Sequence, residues 1–178
     1  NCGGGAKCPP RDPNQYAEFA ANVVARYKDQ GLRHWEIWNE PNNYDFWATK
    51  TNCVAYTTLL KATYNAIKTV DPGAFVVSGG LSPAATDHNN IAPIDFLNCI
   101  YKNGGKGHFD AVGNHPYTFP KLPTSHRDNT WGQMAKTSPS LRSLMIANGD
   151  GDKKIWLTEF GLPTNGPDST RFVSEQVQ

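Results

Sequence analysis

Two glutamates in this chain, Glu40 and Glu159, each come at the end of a short run of apolar and aromatic residues. A third such run ends just before His115 and Tyr117, and Asn39 directly precedes the first glutamate. If these runs are parallel strands of a closed sheet, their carboxyl ends share one face and the two carboxylates oppose each other across a cleft. Such a pair can cleave a glycosidic bond, because one carboxyl protonates the leaving oxygen while the other attacks or activates water at the anomeric carbon.

The elements that must position these groups alternate between helix and strand. Apolar residues spaced at three and four predict helices over residues 13–31, 56–70, 93–103 and 139–147. Short β-branched and aromatic runs predict strands over residues 34–39, 75–78, 109–114 and 155–160, and residues 169–178 begin a further helix. This alternation indicates a parallel α/β sheet rather than an α+β or all-β domain.

A parallel α/β sheet is either doubly wound and open or closed into a (β/α)8 barrel. The glycine patterns GxGxxG and GxxxxGK[ST], typical of doubly wound nucleotide-binding folds, do not occur. A barrel takes about 250 residues and eight strands, whereas this chain has 178 residues. We therefore predict a partial TIM barrel, one incomplete domain over residues 1–178 that lacks the first three strands and the last. Its open edges lead us to expect that this stretch alone is unstable or inactive.

Composition excludes several classes of function. Hydrophobic residues make up 38% of the chain and the formal net charge is +1. No basic stripe is present, so we expect no nucleic-acid partner. The longest uncharged stretch, residues 72–86, contains two prolines and three glycines and is too short and too polar to span a membrane. The sequence begins at Asn1 without an apolar leader, which favours a missing upstream segment. Composition does not predict an oligomeric state.

The four cysteines are Cys2, Cys8, Cys53 and Cys99. Cys2 and Cys8 flank three glycines, a spacing that closes a small loop easily, so a bond between them is the preferred pairing and free thiols are the alternative. A zinc site would need CxxC-type clusters, which are absent. A disulfide would indicate an oxidising compartment, and we therefore expect an extracellular or secreted protein.

Three motifs at the ends of predicted strands resemble those of clan A glycoside hydrolases. WEIWNEPN at residues 35–42 is similar to the acid/base motif on the fourth strand of that barrel, and WLTEFG at 156–161 is similar to the nucleophile motif on the seventh. His115 and Tyr117 stand between them in the order expected for the sixth strand. Within the clan the chain resembles family thirty-nine most, and the family five cellulase-like enzymes are a near second.

This resemblance implies a retaining glycosidase that acts on a β-linked oligosaccharide or polysaccharide without a cofactor or metal. Glu40 resembles the general acid/base and Glu159 the nucleophile, and Asn39 matches the asparagine that hydrogen-bonds the sugar 2-hydroxyl. His115 and Tyr117 match residues of the sugar-binding subsite, and Tyr117 is placed to hydrogen-bond Glu159. The acid/base needs the less polar setting of the two carboxyls, because it must hold a proton.

Aromatic residues near the predicted active face could stack on sugar rings. Trp131 is the preferred platform because it lies in the long loop 120–137, whereas packing is the better interpretation of Trp38, Trp47, Phe119 and Phe160. Trp35 and Trp156 are expected between the strands and the outer helices.

The other polar residues are predicted to have structural roles. Glu36 is expected to be a structural carboxylate one layer below Glu40, paired with an arginine from the missing part of the barrel. The remaining histidines show no metal-binding spacing and are interpreted as loop or strand-end residues: His34, His88, His108 and His126.

Two other functions compete with hydrolysis of glycosides. A barrel that has lost activity could bind carbohydrate, but such a protein has no need of Glu40, Glu159 and Asn39 together. A zinc or cyclic-amide hydrolase needs histidine and aspartate ligands at several strand ends, and only His115 is available. The zinc enzyme is therefore the least favoured of the three.

Overall fold

A computed structural model of the chain describes residues 7–48, 50–167, 170 and 173–178. Its helices are α1 (Pro13–Tyr27), α2 (Cys53–Val70), α3 (Pro93–Lys102) and α4 (Leu141–Ala147). Its strands are β1 (His34–Asn39), β2 (Phe75–Gly80), β3 (Ala111–Asn114) and β4 (Lys154–Leu157), with short 3₁₀ helices at Lys28–Gln30 and Gly132–Met134.

The four strands form one parallel sheet in the order β1-β2-β3-β4. The predicted α/β class with alternating helices and strands is therefore confirmed. Asn39 pairs with Gly80 at the carboxyl ends of β1 and β2, and Asn114 pairs with Leu157 at the ends of β3 and β4. All four strands thus deliver their following loops to the same edge of the sheet.

Local chemistry explains where the helices begin and end. Asp12 caps α1 by accepting a hydrogen bond from Asn14 N, and Pro13 occupies the first turn. After Tyr27 the chain tightens into a 3₁₀ turn and leaves it at Gly31, whose φ of 89° suits glycine. The helix predicted for residues 13–31 is therefore shorter than expected, and Ser140 likewise caps α4 so that it starts after Pro139.

The hydrophobic core lies between the helices and one face of the sheet. Strand residues Ile37, Val76 and Val112 project into it, and Trp35 packs against it as predicted. A disulfide joins Cys53 at the start of α2 to Cys99 in α3, a pairing that sequence analysis did not single out. Helix residues complete the core, among them Val24, Tyr56, Leu60, Phe96, Leu97 and Met145. Cys2 lies outside the described residues, and its predicted bond to Cys8 stays a prediction.

The opposite face of the sheet is concave, since side chains of its two edge strands contact each other across it. His34 on β1 and Trp156 on β4 lie 5.2 Å apart between ring centroids, and Phe75 on β2 stacks on Trp156 at 5.0 Å. A hydrogen bond from Thr158 to Glu36 crosses the same gap at 2.7 Å. The expected position of Trp156 between strands and helices was wrong, because alternation along β4 turns Ile155, and not Trp156, toward the core.

The carboxyl-terminal residues do not form the helix that the sequence predicts. Residues 173–178 form a turn and not the helix predicted for 169–178, of which 169, 171 and 172 lie outside the described residues. None of the helices found in the described part of the chain is long and apolar enough to cross a bilayer.

Candidate active site

Glu40 is buried directly after the end of β1. Its side chain is 9% exposed, and its backbone N–H donates to Gly80 O at 3.1 Å, which ties it to the end of β2. The φ of Glu40 is 43°, a left-handed conformation that residues other than glycine seldom adopt. Hydrogen bonds tie the loop that follows this turn to the segment after β2.

The loop after Glu40 is held by two asparagines. Asn42 is buried and donates to the carbonyls of Ser82 and Ile91, while its own side-chain oxygen accepts from Ser82 N. Asn43 donates to Glu40 Oε2 at 3.2 Å and to Ser82 Oγ at 3.1 Å. Sequence analysis quoted Asn42 within its motif but did not identify Asn43 as a contact of the carboxylate.

A second left-handed residue, Trp38 with a φ of 73°, kinks β1 before the site. The carbonyl oxygens of Ile37 and Trp38 approach Gly79 so closely that a Cβ there would lie 2.7 and 2.9 Å from them. The buried Tyr56 hydroxyl bridges the kink, since it accepts from Gly79 N at 2.6 Å and donates to Ile37 O at 3.1 Å. Burial raises the pKa of the Tyr56 hydroxyl well above its ordinary value.

His115 follows β3 and occupies the centre of the site. The side chain is fully buried, and Nδ1 lies 2.9 Å from Glu40 Oε1 and 3.5 Å from Glu159 Oε2. The imidazole rests against Gly80, where a Cβ would come within 2.0 Å of Nε2. Only glycine at that position leaves room for the ring, which places His115 between the two predicted catalytic carboxylates.

Glu159 stands two residues beyond the end of β4, and its side chain is 45% exposed. Tyr117 donates its hydroxyl hydrogen to Glu159 Oε2 at 3.1 Å, so the predicted contact is confirmed. Burial, with the neighbouring Glu159 carboxylate, raises the pKa of Tyr117. The two carboxyls therefore differ in exposure, and Glu40 is the more enclosed of the two.

Glu36 lies deeper on the concave face. No ion pair to Glu36 occurs among the described residues, and Thr158 contacts it. The arginine expected from the missing part of the barrel stays a prediction. A Cβ on Gly113 would lie 2.8 Å from Glu36 Oε1. Burial raises the pKa of this carboxyl, and the hydrogen bond from Thr158 partly opposes that effect. Sequence analysis overlooked Thr158, although it stands inside the quoted motif.

A cavity of about 690 Å³ opens beside Glu40 and Tyr117. A second cavity of about 400 Å³ shares Pro83, Tyr117 and Phe119 with it. Trp131 is half-buried, packs against Phe160 at 5.0 Å between ring centroids, and lines neither cavity.

The other predicted residues divide between the site and the core. Asn39, half-buried, ends β1 directly before Glu40. Trp38 and Trp47 belong to the core, where Trp47 is 4% exposed, in agreement with the packing interpretation.

Potential metal ligands among the described residues form one group, Glu40, His115 and Glu159, whose donor atoms lie within 4.8 Å of one another. The shortest contact in the group, 2.9 Å between His115 Nδ1 and Glu40 Oε1, has the length of a hydrogen bond. His115 and Glu40 therefore contact each other directly.

Comparison with known proteins identifies the family of this chain. The family model of glycosyl hydrolases family 39 matches residues 11–144, which is more than half of the chain. The match includes Glu40 and His115 and ends before Glu159.

Solved structures match the fold over most of the chain. A monomeric β-xylosidase from Caulobacter crescentus CB15 is 22% identical, with a TM-score of 0.67, over 93% of this chain and 34% of that one. A glucosidase from Croceicoccus marinus is 19% identical with a TM-score of 0.62, over 91% and 34% of the two chains. A family 39 glycoside hydrolase from the gut symbiont Bacteroides cellulosilyticus WH2 is 25% identical with a TM-score of 0.59, over 89% and 32%.

This chain therefore spans about a third of the length of the structures it matches. Its four-stranded parallel sheet corresponds to part of a family 39 barrel, and of the two families that the sequence resembles, thirty-nine is confirmed. The chain belongs to glycosyl hydrolases family 39.

Proposed function

We propose that this chain carries the catalytic residues of a retaining glycosidase that cleaves β-linked oligosaccharides or polysaccharides. The observation that carries the proposal is the approach of Glu40 and Glu159 at the carboxyl ends of β1 and β4, with donor atoms at most 4.8 Å apart. Carboxyl groups lie about 5–5.5 Å apart in retaining enzymes and about 6.5–9.5 Å apart in inverting ones. The 4.8 Å bound joins one oxygen of each carboxyl and falls below the spacing of inverting enzymes, which favours double displacement.

The reaction proceeds in two steps. Glu40 donates its proton to the glycosidic oxygen while a Glu159 oxygen bonds to the anomeric carbon, so that the leaving alcohol departs and a glycosyl ester forms. Glu40, now ionised, then takes a proton from water, whose oxygen attacks the anomeric carbon and releases Glu159 as carboxylate. After the second step Glu40 is protonated and Glu159 is ionised again, as they were at the start.

The surroundings of the two carboxyls support these roles. Glu40 is almost completely enclosed, whereas Glu159 is open to solvent and accepts a hydrogen bond from Tyr117, so the two carboxyls lie in different environments, as the acid and the nucleophile of such a pair do. Asn39 and Tyr117 are the proposed contacts of the bound sugar, and Trp131 is the proposed stacking platform. His115 is fully buried, with both ring nitrogens within hydrogen-bond distance of protein groups, and lies behind these contacts. No metal or cofactor takes part in this scheme.

The domain and its location complete the proposal. The strands β1–β4 would be the fourth to seventh of a barrel, and residues 1–178 one incomplete domain of it. The disulfide between Cys53 and Cys99 supports an extracellular or secreted protein, since such bonds persist in oxidising compartments.

A mechanism-based probe tests the proposal on the complete gene product that contains this chain. Because a similar protein is named a β-xylosidase, the first substrates are 4-nitrophenyl β-xyloside and its glucose analogue. A 2,4-dinitrophenyl 2-deoxy-2-fluoro-β-xyloside should inactivate the enzyme and leave a glycosyl ester on Glu159, which peptide mass spectrometry detects. A label on another residue, or hydrolysis with inversion, would overturn the assignment.

Matched variants separate the two roles. Glu159→Gln should abolish labelling, whereas Glu40→Gln should still accept the activated probe and lose about 10²- to 10⁴-fold in kcat/KM on substrates with poor leaving groups. Glu18→Gln, an exposed position on α1, is the control and should change neither. Binding of xylo-oligosaccharides without any hydrolysis or labelling would instead identify a catalytically silent carbohydrate-binding protein.

A further inference from the structure

A chain of four side chains connects the candidate acid/base to a deeper carboxylate. Glu40 Oε1 lies 2.9 Å from His115 Nδ1. On the other side of the ring, Nε2 lies 3.1 Å from Thr158 Oγ1. Thr158 in turn donates to Glu36 Oε1 at 2.7 Å. This series of hydrogen-bonded side chains thus crosses the concave face, from Glu40 after β1 through residues that follow β3 and β4 to Glu36 on β1.

The direction of each hydrogen bond follows from the chemistry of the groups. A carboxylate oxygen only accepts, so Thr158 must spend its single hydroxyl hydrogen on Glu36. Its oxygen can then only accept from His115, which requires a hydrogen on Nε2. The neutral imidazole therefore has its hydrogen on Nε2 and a lone pair on Nδ1, facing Glu40.

A lone pair that faces a carboxylate oxygen at 2.9 Å repels it unless a proton lies between them. That proton belongs either to Glu40, as a carboxylic acid, or to His115, as an imidazolium. The opposite tautomer, with its hydrogen on Nδ1, would instead hydrogen-bond an ionised Glu40 with no added proton. The tautomer of His115 thus decides whether this pair holds an extra proton.

We propose that Glu36 and Thr158 are positioning residues that fix the Nε2–H tautomer of His115 and thereby keep Glu40 supplied with the proton that it donates. This inference rests on the proposed role of Glu40 as general acid. Glu36 and Thr158 touch no substrate in this scheme and act through His115 alone.

The groups that face His115 and Glu40 are acidic or neutral. The titratable groups that face the pair are Glu36 from β1, Glu159 beyond β4 and Tyr117 after β3. No lysine or arginine forms an ion pair with these carboxylates within the described part of the chain. Negative charge nearby stabilises a positively charged or protonated pair.

The backbone also shows that this arrangement is built into the strands. A Cβ on Gly80 would lie 2.0 Å from His115 Nε2, and one on Gly113 would lie 2.8 Å from Glu36 Oε1. Glycine at position 80 therefore clears the space for the imidazole, and glycine at position 113 leaves room first for the Ser78 carbonyl oxygen and then for the Glu36 carboxylate.

Nitrogen NMR of ¹⁵N-histidine-labelled complete gene product tests the tautomer without reference to activity. The wild type and Thr158→Ser, which keeps the hydroxyl, should show His115 protonated on Nε2. Thr158→Val should lose this preference. Glu36→Gln should reverse it, because an amide can donate to Thr158 and free the hydroxyl hydrogen for Nε2. A wild-type His115 with its neutral hydrogen on Nδ1, or an unchanged tautomer in both Thr158→Val and Glu36→Gln, would overturn the proposal.

The pH profile of hydrolysis supplies the second measurement. In Thr158→Val and Glu36→Gln the alkaline limb of kcat/KM for an alkyl β-xyloside should move about one pH unit lower, a loss of about tenfold on that limb. The 2,4-dinitrophenyl substrate needs no acid and should keep its rate, and Thr158→Ser should resemble the wild type. An equal loss on both substrates with no movement of the limb would mean a purely structural role and would overturn the proposal. If the wild type hydrolyses no glycoside, the proposed function fails, while the NMR result still decides the tautomer.

Discussion

The hydroxyl of Tyr117 lies 3.1 Å from Glu159 Oε2 and donates its hydrogen to that oxygen. The same oxygen is 3.5 Å from His115 Nδ1. The candidate nucleophile follows β4, yet both contacts come from the loop after β3. That loop therefore orients the Glu159 side chain. We expect substitutions of its contacting residues to lower kcat more than they raise KM.

Removal of the Tyr117 hydroxyl should slow the reaction. Hydrogen bonds to charged groups contribute about 1.5–3 kcal/mol, so Tyr117→Phe should lower kcat by about tenfold to about a hundredfold, with a smaller change in KM. Steady-state kinetics on an aryl β-xyloside measure this effect. Tyr27→Phe on α1 is the control, and equal losses in both variants would contradict a specific role for Tyr117.

A methyl group at Gly80 should displace His115. The added Cβ would lie 2.0 Å from Nε2, and a shift of about 1 Å in an active site can reduce the rate by about 10²-fold. We expect such a loss in Gly80→Ala while the far-ultraviolet circular dichroism is retained. Gly151→Ala is the control, since its Cβ would meet Ile146 Cγ1 at an ordinary 3.6 Å. Full activity of Gly80→Ala would show that the ring has another place to lie.

The Tyr56 hydroxyl should stabilise the kinked end of β1. Tyr56→Phe leaves the buried Gly79 N–H and Ile37 carbonyl without this partner. An unsatisfied buried group costs about 1–3 kcal/mol, and the free energy of unfolding in urea should fall by about that amount. In Tyr64→Phe the lost bond, to Asp110 at 3.4 Å, is only partly buried, so a smaller decrease is expected. A larger decrease in Tyr64→Phe would refute the bridging role.

The Cys53–Cys99 disulfide should stabilise the packing of α2 on α3. The two residues are 46 apart in sequence, and chain entropy predicts a stabilisation of about 4 kcal/mol for a loop of that size. Replacement of both cysteines by alanine should lower the urea midpoint accordingly. Addition of a reductant should lower the midpoint of the wild type by more than that of the double variant, which keeps Cys2 and Cys8. Identical midpoints for the wild type and the double variant would contradict the Cys53–Cys99 bond.

Sequence patterns revealed the parts of the site that are local in the chain. Glu40, His115 and Glu159 stand next to strands that alternation and composition identify, and parallel strands bring their ends together. The contact of Thr158 with Glu36 could not be predicted this way, because it depends on how far the sheet curves between its edge strands. The kink at Trp38 and the pairing of Cys53 with Cys99 are likewise products of tertiary packing.

The left-handed backbone of Glu40, with its φ of 43°, means that the protein loses some stability at its proposed acid/base. Such a conformation costs a non-glycine residue of order 1–3 kcal/mol, and asparagine or glycine would adopt it more readily. We expect Glu40→Asn to melt at a higher temperature than the wild type in differential scanning calorimetry and to hydrolyse glycosides poorly. Selection for thermal stability alone would then replace the proposed acid/base, so a glutamate retained at this position would indicate selection for catalytic turnover.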